Sequence, residues 1–368
     1  MTSFDSILQR ALEAGNPVVQ GNRVTFIWEG DAAPQLISDI TGWDDKPKPF
    51  KRVASTLRSA SGKMIWSCSL TVPRDAYVEY AFYDPISQQK FLDPLNEHTV
   101  NNGLGSRNNF FYMPETMPSP FSLRRAVVHA STLTRHRIST DFLQDDSERD
   151  VYLYKSPVSE AVPLLIVYDG YEYLNRGKLT TLVDNLIADG RMSPIAIAFL
   201  QNGKNKRNVE YLCSDATLTW LEREVLPLAH EHLRLLDIEE YPGAYGVLGA
   251  SAGGLMAMYT GLRMSEIFGK VLCQSGVFSL DGRDFTVVDL VRYGHARDLK
   301  IWMDVGTLEE DLLADNRRMV ALLREKKYDL TYREFSASHN YTAWRNDIWH
   351  GLEEMFPLSH SQTNTGTV

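Results

Sequence analysis

The sequence predicts an α/β chain: a mostly parallel, doubly wound sheet preceded by a separate all-β sandwich. Three observations carry this. Gly249-Ala250-Ser251-Ala252-Gly253-Gly254 lies between two apolar stretches, Tyr245-Gly246-Val247-Leu248, which reads as a buried strand, and Leu255-Met256-Ala257-Met258-Tyr259, which reads as the first turns of a buried helix. From Val162 onward short apolar runs alternate with helical patterns, the order that builds parallel sheets. Between Asn22 and Pro114 the chain is instead aromatic and β-branched with partial alternation, interrupted by Gly, Asp, Pro and Asn, as in small antiparallel sandwiches. At 368 residues the chain is long enough for two domains. The expected division is a sandwich over residues 1–114, a linker over 115–121, an α/β domain over 122–358 and a disordered tail over 359–368.

In chain order, residues 4–14 read as a short helix, and 24–28, 64–70 and 78–83 as the clearest strands of the sandwich. Pro114, Pro118 and Pro120 mark the linker. Residues 122–134 and 149–154 read as two edge strands. The runs 163–168 and 195–200 are continuously apolar, as strands covered on both faces require. Further strands are expected at 270–276, 300–306 and 330–335, and helices at 179–188, 218–235, 315–326 and 342–356.

Composition narrows the function. The chain carries a net charge of −9, which argues against nucleic acid as a partner, since phosphate binding needs a basic face. Its three cysteines, Cys68, Cys213 and Cys273, are widely spaced and show neither zinc-like pairing nor a disulfide framework, so a reducing compartment is expected. The first twenty residues lack a basic start followed by an apolar core, and no apolar run approaches the roughly 20 residues of a membrane helix. The reading is a cytoplasmic protein with no membrane partner, no cofactor and no metal.

The chemistry follows from the glycine-rich turn. A strand, then G-x-S-x-G, then a helix is the context of a nucleophile elbow, with Ser251 at the tip and small residues where the turn is too sharp for bulk. The amide of Ala252 would face the oxygen that becomes negative in acyl transfer. A serine hydroxyl needs a base, and the base needs a carboxylate to orient it. Serine, acid and histidine are expected in that order, each on a loop after a strand. His339, after the last strand, is the base. The loop after the strand at 300–306 holds Glu309, Glu310 and Asp311, with Glu309 favoured as the acid and the other two as alternatives. A second oxyanion amide should come from the loop after an early strand, and Tyr171, just past Asp169-Gly170, is the candidate.

Residues 150–357 resemble the enterochelin-esterase and esterase-D branch of the α/β-hydrolases. The resemblance rests on Tyr168-Asp169-Gly170, Arg207-Asn208-Val209-Glu210-Tyr211-Leu212, Glu224-Val225-Leu226-Pro227, the elbow, Gly306-Thr307-Leu308-Glu309 and Ser338-His339-Asn340 with Trp344-Arg345. The family usually has Gly-Gly-His-Asp where this chain has Ala337-Ser338-His339-Asn340. Thr41-Gly42-Trp43-Asp44, Tyr80-Ala81-Phe82-Tyr83 and Phe91-Leu92-Asp93-Pro94-Leu95-Asn96 resemble early-set, immunoglobulin-like modules fused to glycogen-branching enzymes and to several esterases. The resemblance implies a serine carboxylic-ester hydrolase with Glu309 as its acid, acting on a small-molecule ester such as an iron-loaded, enterobactin-like siderophore. Arg207 and Glu210 match a family pair near the site. An anionic substrate calls for basic contacts, and Lys204, Lys206 and Arg207 are the candidates. Two alternatives stand beside it: a feruloyl or acetyl carbohydrate esterase, and an acyltransferase using the same triad.

Overall fold

A computed structural model describes residues 3–43, 46–53, 62–125, 131–143 and 148–358. The expected tail at 359–368 and Asp44 of the Thr41-Gly42-Trp43-Asp44 motif lie outside the described residues. The chain divides into two compact units, one made of residues 1–117 with 336–340, the other of 118–335 with 341–368. No helix among the described residues is long and apolar enough to cross a membrane.

The first unit opens with helix Ser3–Ala14 and continues as two antiparallel sheets. One is built on the pair Arg23–Glu29 and Ile65–Thr71, the other on Gln35–Ser38, Tyr77–Asp84 and Arg107–Tyr112. Aromatic side chains from the two sheets meet edge to face, Phe26 against Tyr80 with centroids 4.8 Å apart and Trp28 against Phe82 at 5.9 Å. The tryptophan nitrogens are tied into the same unit: Trp28 donates to the Ala32 carbonyl, Trp66 to the Gly30 carbonyl and Trp43 to the Asp39 carboxylate.

The second unit is an eight-stranded sheet. Its strands are numbered here β1 (Thr132–Ser139), β2 (Glu148–Lys155), β3 (Leu164–Val167), β4 (Ala196–Leu200), β5 (Tyr245–Ala250), β6 (Phe268–Gln274), β7 (Lys300–Gly306) and β8 (Asp329–Phe335). Their spatial order is β1-β2-β4-β3-β5-β6-β7-β8. From β3 to β8 the strands run parallel, while β2 pairs antiparallel with both β1 and β4. Every residue of β3, β4 and β5 is buried, which is why those segments read as unbroken apolar runs. The chain steps from β3 outward to β4 and then back across β3 to β5, so the order reverses there. In open sheets a crevice forms at the carboxyl ends beside such a reversal.

Four expectations need correction. The strand expected as a second edge at 149–154 is β2, which is internal, paired with β1 on one side and β4 on the other. The first edge strand is Thr132–Ser139, later than the expected 122–134, of which residues 126–130 lie outside the described set. Its Arg135 and Arg137 hide the strand in the sequence; both reach Asp150 on β2, a charged edge that suits a strand with one open side. The expected helix at 218–235 is Asp215–Trp220, one π-helical stretch Leu221–Val225, and Leu226–His232 with Pro227 near its start. The expected helix at 315–326 is Glu310–Glu325, which begins five residues earlier because Glu310 and Asp311 occupy its first turn, where acidic side chains are favoured by the helix dipole.

Candidate active site

Ser251 follows β5 directly and precedes helix Ala252–Arg263. Its backbone sits at φ 60°, ψ −127°, a strained conformation that few non-glycine residues adopt. The neighbours hold it there. The Ser251 amide donates to the Gln274 carbonyl at 2.9 Å, and the Ser251 carbonyl accepts from the Leu255 amide at 3.0 Å. The turn is tight enough to exclude side chains: a Cβ on Gly249 would stand 2.1 Å from the Gly253 carbonyl oxygen, and one on Gly254 3.1 Å from the Cys273 sulfur. Ala252, first in its helix, is one of the residues whose amide has no partner within the helix.

The loop after β3 carries Asp169 in the left-handed region, φ 53°, as the N-cap of the short helix Gly170–Asn175. Gly170 is packed so closely that a Cβ would lie 2.5 Å from the Leu200 amide nitrogen. Tyr171 is the second residue of that helix, again a position without an intrahelical partner for its amide. Asp169 brings this loop to the elbow, since its Oδ2 would stand 3.2 Å from a Cβ on Gly253. The carboxylate, only 2 % exposed, accepts from Arg207 Nε at 2.7 Å, from Arg207 Nη2 and from the Asn202 side-chain amide. The Asp169 amide donates to the Tyr211 hydroxyl at 3.1 Å.

Arg207 and Glu210, expected as a pair, each have another partner. Arg207 engages Asp169, and Glu210 forms a buried ion pair with Arg149 of β2, with contacts of 2.8 and 2.9 Å, while also accepting from the Gly203 amide. Lys204 and Lys206 lie on one 3-10 turn, Lys204–Lys206, with Lys204 exposed. Lys204 borders a cavity of about 230 Å³ together with Asp169, Tyr171, Glu172, Gln201 and Asn202.

Glu309 caps helix Glu310–Glu325 and is buried, whereas Glu310 and Asp311 are exposed. Its Oε1 accepts from the Gly306 amide at 2.9 Å and from the Ser275 hydroxyl at 2.7 Å. Ser275 also accepts from the Trp344 indole nitrogen at 2.9 Å. Asp304, within β7, is wholly buried; its Oδ2 accepts from Gln274 Nε2 at 2.7 Å and its Oδ1 has no partner among the described residues. Burial, and next the charge of Asp347, push the Asp304 carboxyl well above the usual carboxylate range. His339 lies between the end of β8 and the start of helix Tyr341–Met355, and its side chain is exposed. Of the residues making these contacts, Asn202 and Ser275 carry no mark in the sequence, while Asp169 and Trp344 stand there only within the motifs Tyr168-Asp169-Gly170 and Trp344-Arg345. The signal that could have found Ser275 is its position, the first residue past the carboxyl end of a central strand.

Comparison with known proteins bears on the family and the fold. Residues 143–355, more than half of the chain, match the Esterase family model. An iron(III) enterobactin esterase of Dickeya dadantii is 26% identical over 407 residues, covering 94% of this chain and 91% of the relative. The crystal structure of a ferric enterobactin esterase from Salmonella typhimurium superposes with a TM-score of 0.78 at 20% identity, over 92% of this chain and 95% of that one. The enterobactin esterase of Shigella flexneri, solved in the presence of enterobactin, gives a TM-score of 0.75 with the same identity and coverage. At that identity the two structures speak to the fold, that of the α/β-hydrolases. The chain belongs to the Esterase family, among its enterochelin-esterase-like members, and is an esterase.

Proposed function

We propose that this esterase is a serine hydrolase working through an acyl-enzyme, and that its substrate is an iron-loaded siderophore ester of the enterobactin kind. The observation that carries the mechanism is the strained backbone of Ser251 at the carboxyl end of β5, with the helix amide of Ala252 next to it. Ser251 Oγ attacks the ester carbonyl as His339 takes its proton. The amides of Ala252 and Tyr171 hold the oxyanion, and Glu309 orients His339 and balances its charge. The tetrahedral intermediate collapses with His339 returning the proton to the leaving alcohol, and water then cleaves the acyl-enzyme by the same route. Glu309 suits its role better than Glu310 or Asp311 because it is buried with two donors on one oxygen, while they face solvent.

The substrate class is supported by the relatives, which are named for iron(III) enterobactin. Lys204, exposed and on the cavity beside the Asp169 loop, is the cation best placed to attract an anionic ester, with Lys206 on the same turn, whereas Arg207 is engaged by Asp169. The first unit is read as an early-set, immunoglobulin-like module and the protein as cytoplasmic. Ser251→Ala should abolish labelling by a fluorophosphonate and lower kcat on p-nitrophenyl esters by several orders of magnitude, because triad members act as a unit. Retention of more than about a tenth of the activity rejects the nucleophile. For the substrate, ferric enterobactin is compared with methyl ferulate and short acyl esters. Preference for methyl ferulate would move the reading to a feruloyl esterase, and ester products formed with added alcohols would move it to acyl transfer.

A further inference from the structure

We propose that Ser275 is a positioning residue for ester cleavage: its hydroxyl, aimed by the Trp344 indole, fixes one oxygen of Glu309 and so sets the direction in which the carboxylate meets the base. The inference rests on the reading of Glu309 as the acid.

The geometry leaves the Ser275 hydroxyl little choice. Ser275 is wholly buried, and its amide donates to the Asp304 carbonyl at 2.7 Å, which anchors it to β7. The Trp344 indole nitrogen is a donor only, so the contact at 2.9 Å makes the Ser275 oxygen the acceptor. The single hydroxyl proton is then directed to Glu309 Oε1, 2.7 Å away. The Gly306 amide donates to the same oxygen at 2.9 Å. Two donors converging on one oxygen hold the carboxyl group against rotation about its terminal bond, a bond that has no sharp preference of its own. Outer partners that orient a functional ligand in this way are worth more than their own hydrogen bond, because they set the geometry of the group that does the work.

The backbone supplies a clean test. Ser275 has φ 45°, in the left-handed region that glycine occupies without strain. Ser275→Gly therefore deletes the hydroxyl while relaxing the main chain. If Ser275 acts through Glu309, kcat on a p-nitrophenyl ester falls about tenfold or more, the scale on which outer-shell partners act. KM stays the same. In a Glu309→Gln background, Ser275→Gly should cost nothing further, since the group it positions is gone. Trp344→Phe, which removes the indole donor but keeps an aromatic ring, should lower kcat in the same direction and repeats the test if Ser275→Gly yields too little folded protein. Full activity in Glu309→Gln would overturn the acid assignment itself. A crippled Glu309→Gln alongside Ser275→Gly at wild-type kcat, or a loss that adds in full to that of Glu309→Gln, overturns the role of Ser275 and leaves the acid assignment standing.

Discussion

Replacing Arg207 separates two possible uses of the same guanidinium, as a contact for an anionic substrate or as part of the scaffold under the loop after β3 that carries Asp169 and Tyr171. Arg207 meets Asp169 through Nε at 2.7 Å and through Nη2, and its guanidinium lies 5.2 Å from the centroid of the Tyr211 ring. Burial works against its charge, but the hydrogen bonds and charge of Asp169 win, and its pKa is raised further above the ordinary arginine value. Arg207→Met takes away the partner of a carboxylate that is 2 % exposed and leaves it, among the described residues, the Asn202 amide as its side-chain donor. Breaking a buried pair from one side costs about 3–5 kcal/mol. The Arg207 side chain is 26% exposed and Asn202 remains, which places the expectation at the lower end, about 3 kcal/mol. For a domain of this size that lowers the thermal midpoint by about 6–12 °C. Asp169 caps the helix that carries Tyr171, so kcat should fall on neutral and charged esters alike. Thermal unfolding, with kcat and KM on a p-nitrophenyl ester and on a ferric siderophore, makes the measurement. The double variant Asp169→Asn/Arg207→Met should recover most of the stability, because asparagine tolerates the left-handed backbone and brings no charge. An unchanged midpoint combined with a raised KM for the anionic substrate alone would refute this and make Arg207 a substrate contact.

Three further outcomes are expected. Glu309→Gln should lower kcat far more than Asp311→Asn or Glu310→Gln, whose exposed positions in the first helical turn are worth only about 0.3–1 kcal/mol through the helix dipole; steady-state kinetics of the three variants decide it. Asp304→Asn should raise stability relative to wild type at pH 8 and lose that advantage toward pH 4: the folded carboxyl keeps its proton where the unfolded one, with a pKa of about 3.9, has released it, so wild-type stability falls as pH rises above that value, and thermal scans across pH show the slope. Gly249→Ala should cost about 3 kcal/mol or more, because its Cβ would meet the Gly253 main chain at 2.1 Å, whereas Gly282→Ala, with nothing within 4 Å, should cost about 1 kcal/mol through its positive φ; chemical denaturation of the two compares them.

The parts of this molecule that were legible in the sequence are those whose cause is local. Strands β3, β4 and β5 are buried on both faces, so each announces itself as an apolar run, and the elbow announces itself because only small residues fit between a strand and a helix that turn so sharply. Strand β1 was misplaced because an exposed edge carries arginines that local pattern assigns to a loop. The charged network is illegible for a different reason. Asp169 finds Arg207 at a sequence separation of 38 residues, Arg149 finds Glu210 at 61 and Ser275 finds Glu309 at 34. Residue type and spacing carry no record of such partners, so the sequence offers Arg207 as a contact for an anionic substrate and, by resemblance, as the mate of Glu210, and points to neither Asp169 nor Arg149.

That pairing changes what the net charge implies. Around the elbow Arg207 is matched by Asp169 and Arg149 by Glu210, both at hydrogen-bonding distance, and Glu172 is held by Arg176 at 3.2 Å. Matched charges at such separations project little field into solvent. If the substrate is an anionic ester, as proposed, its attraction comes from cations that face water, of which Lys204 borders the cavity next to Asp169. Exposed charges act through solvent, where the screening length is about 8 Å at physiological salt, whereas the buried pairs are screened much less. Salt should therefore weaken capture of the substrate and leave the scaffold intact: KM for a ferric siderophore rises with ionic strength while kcat and the thermal midpoint hardly move.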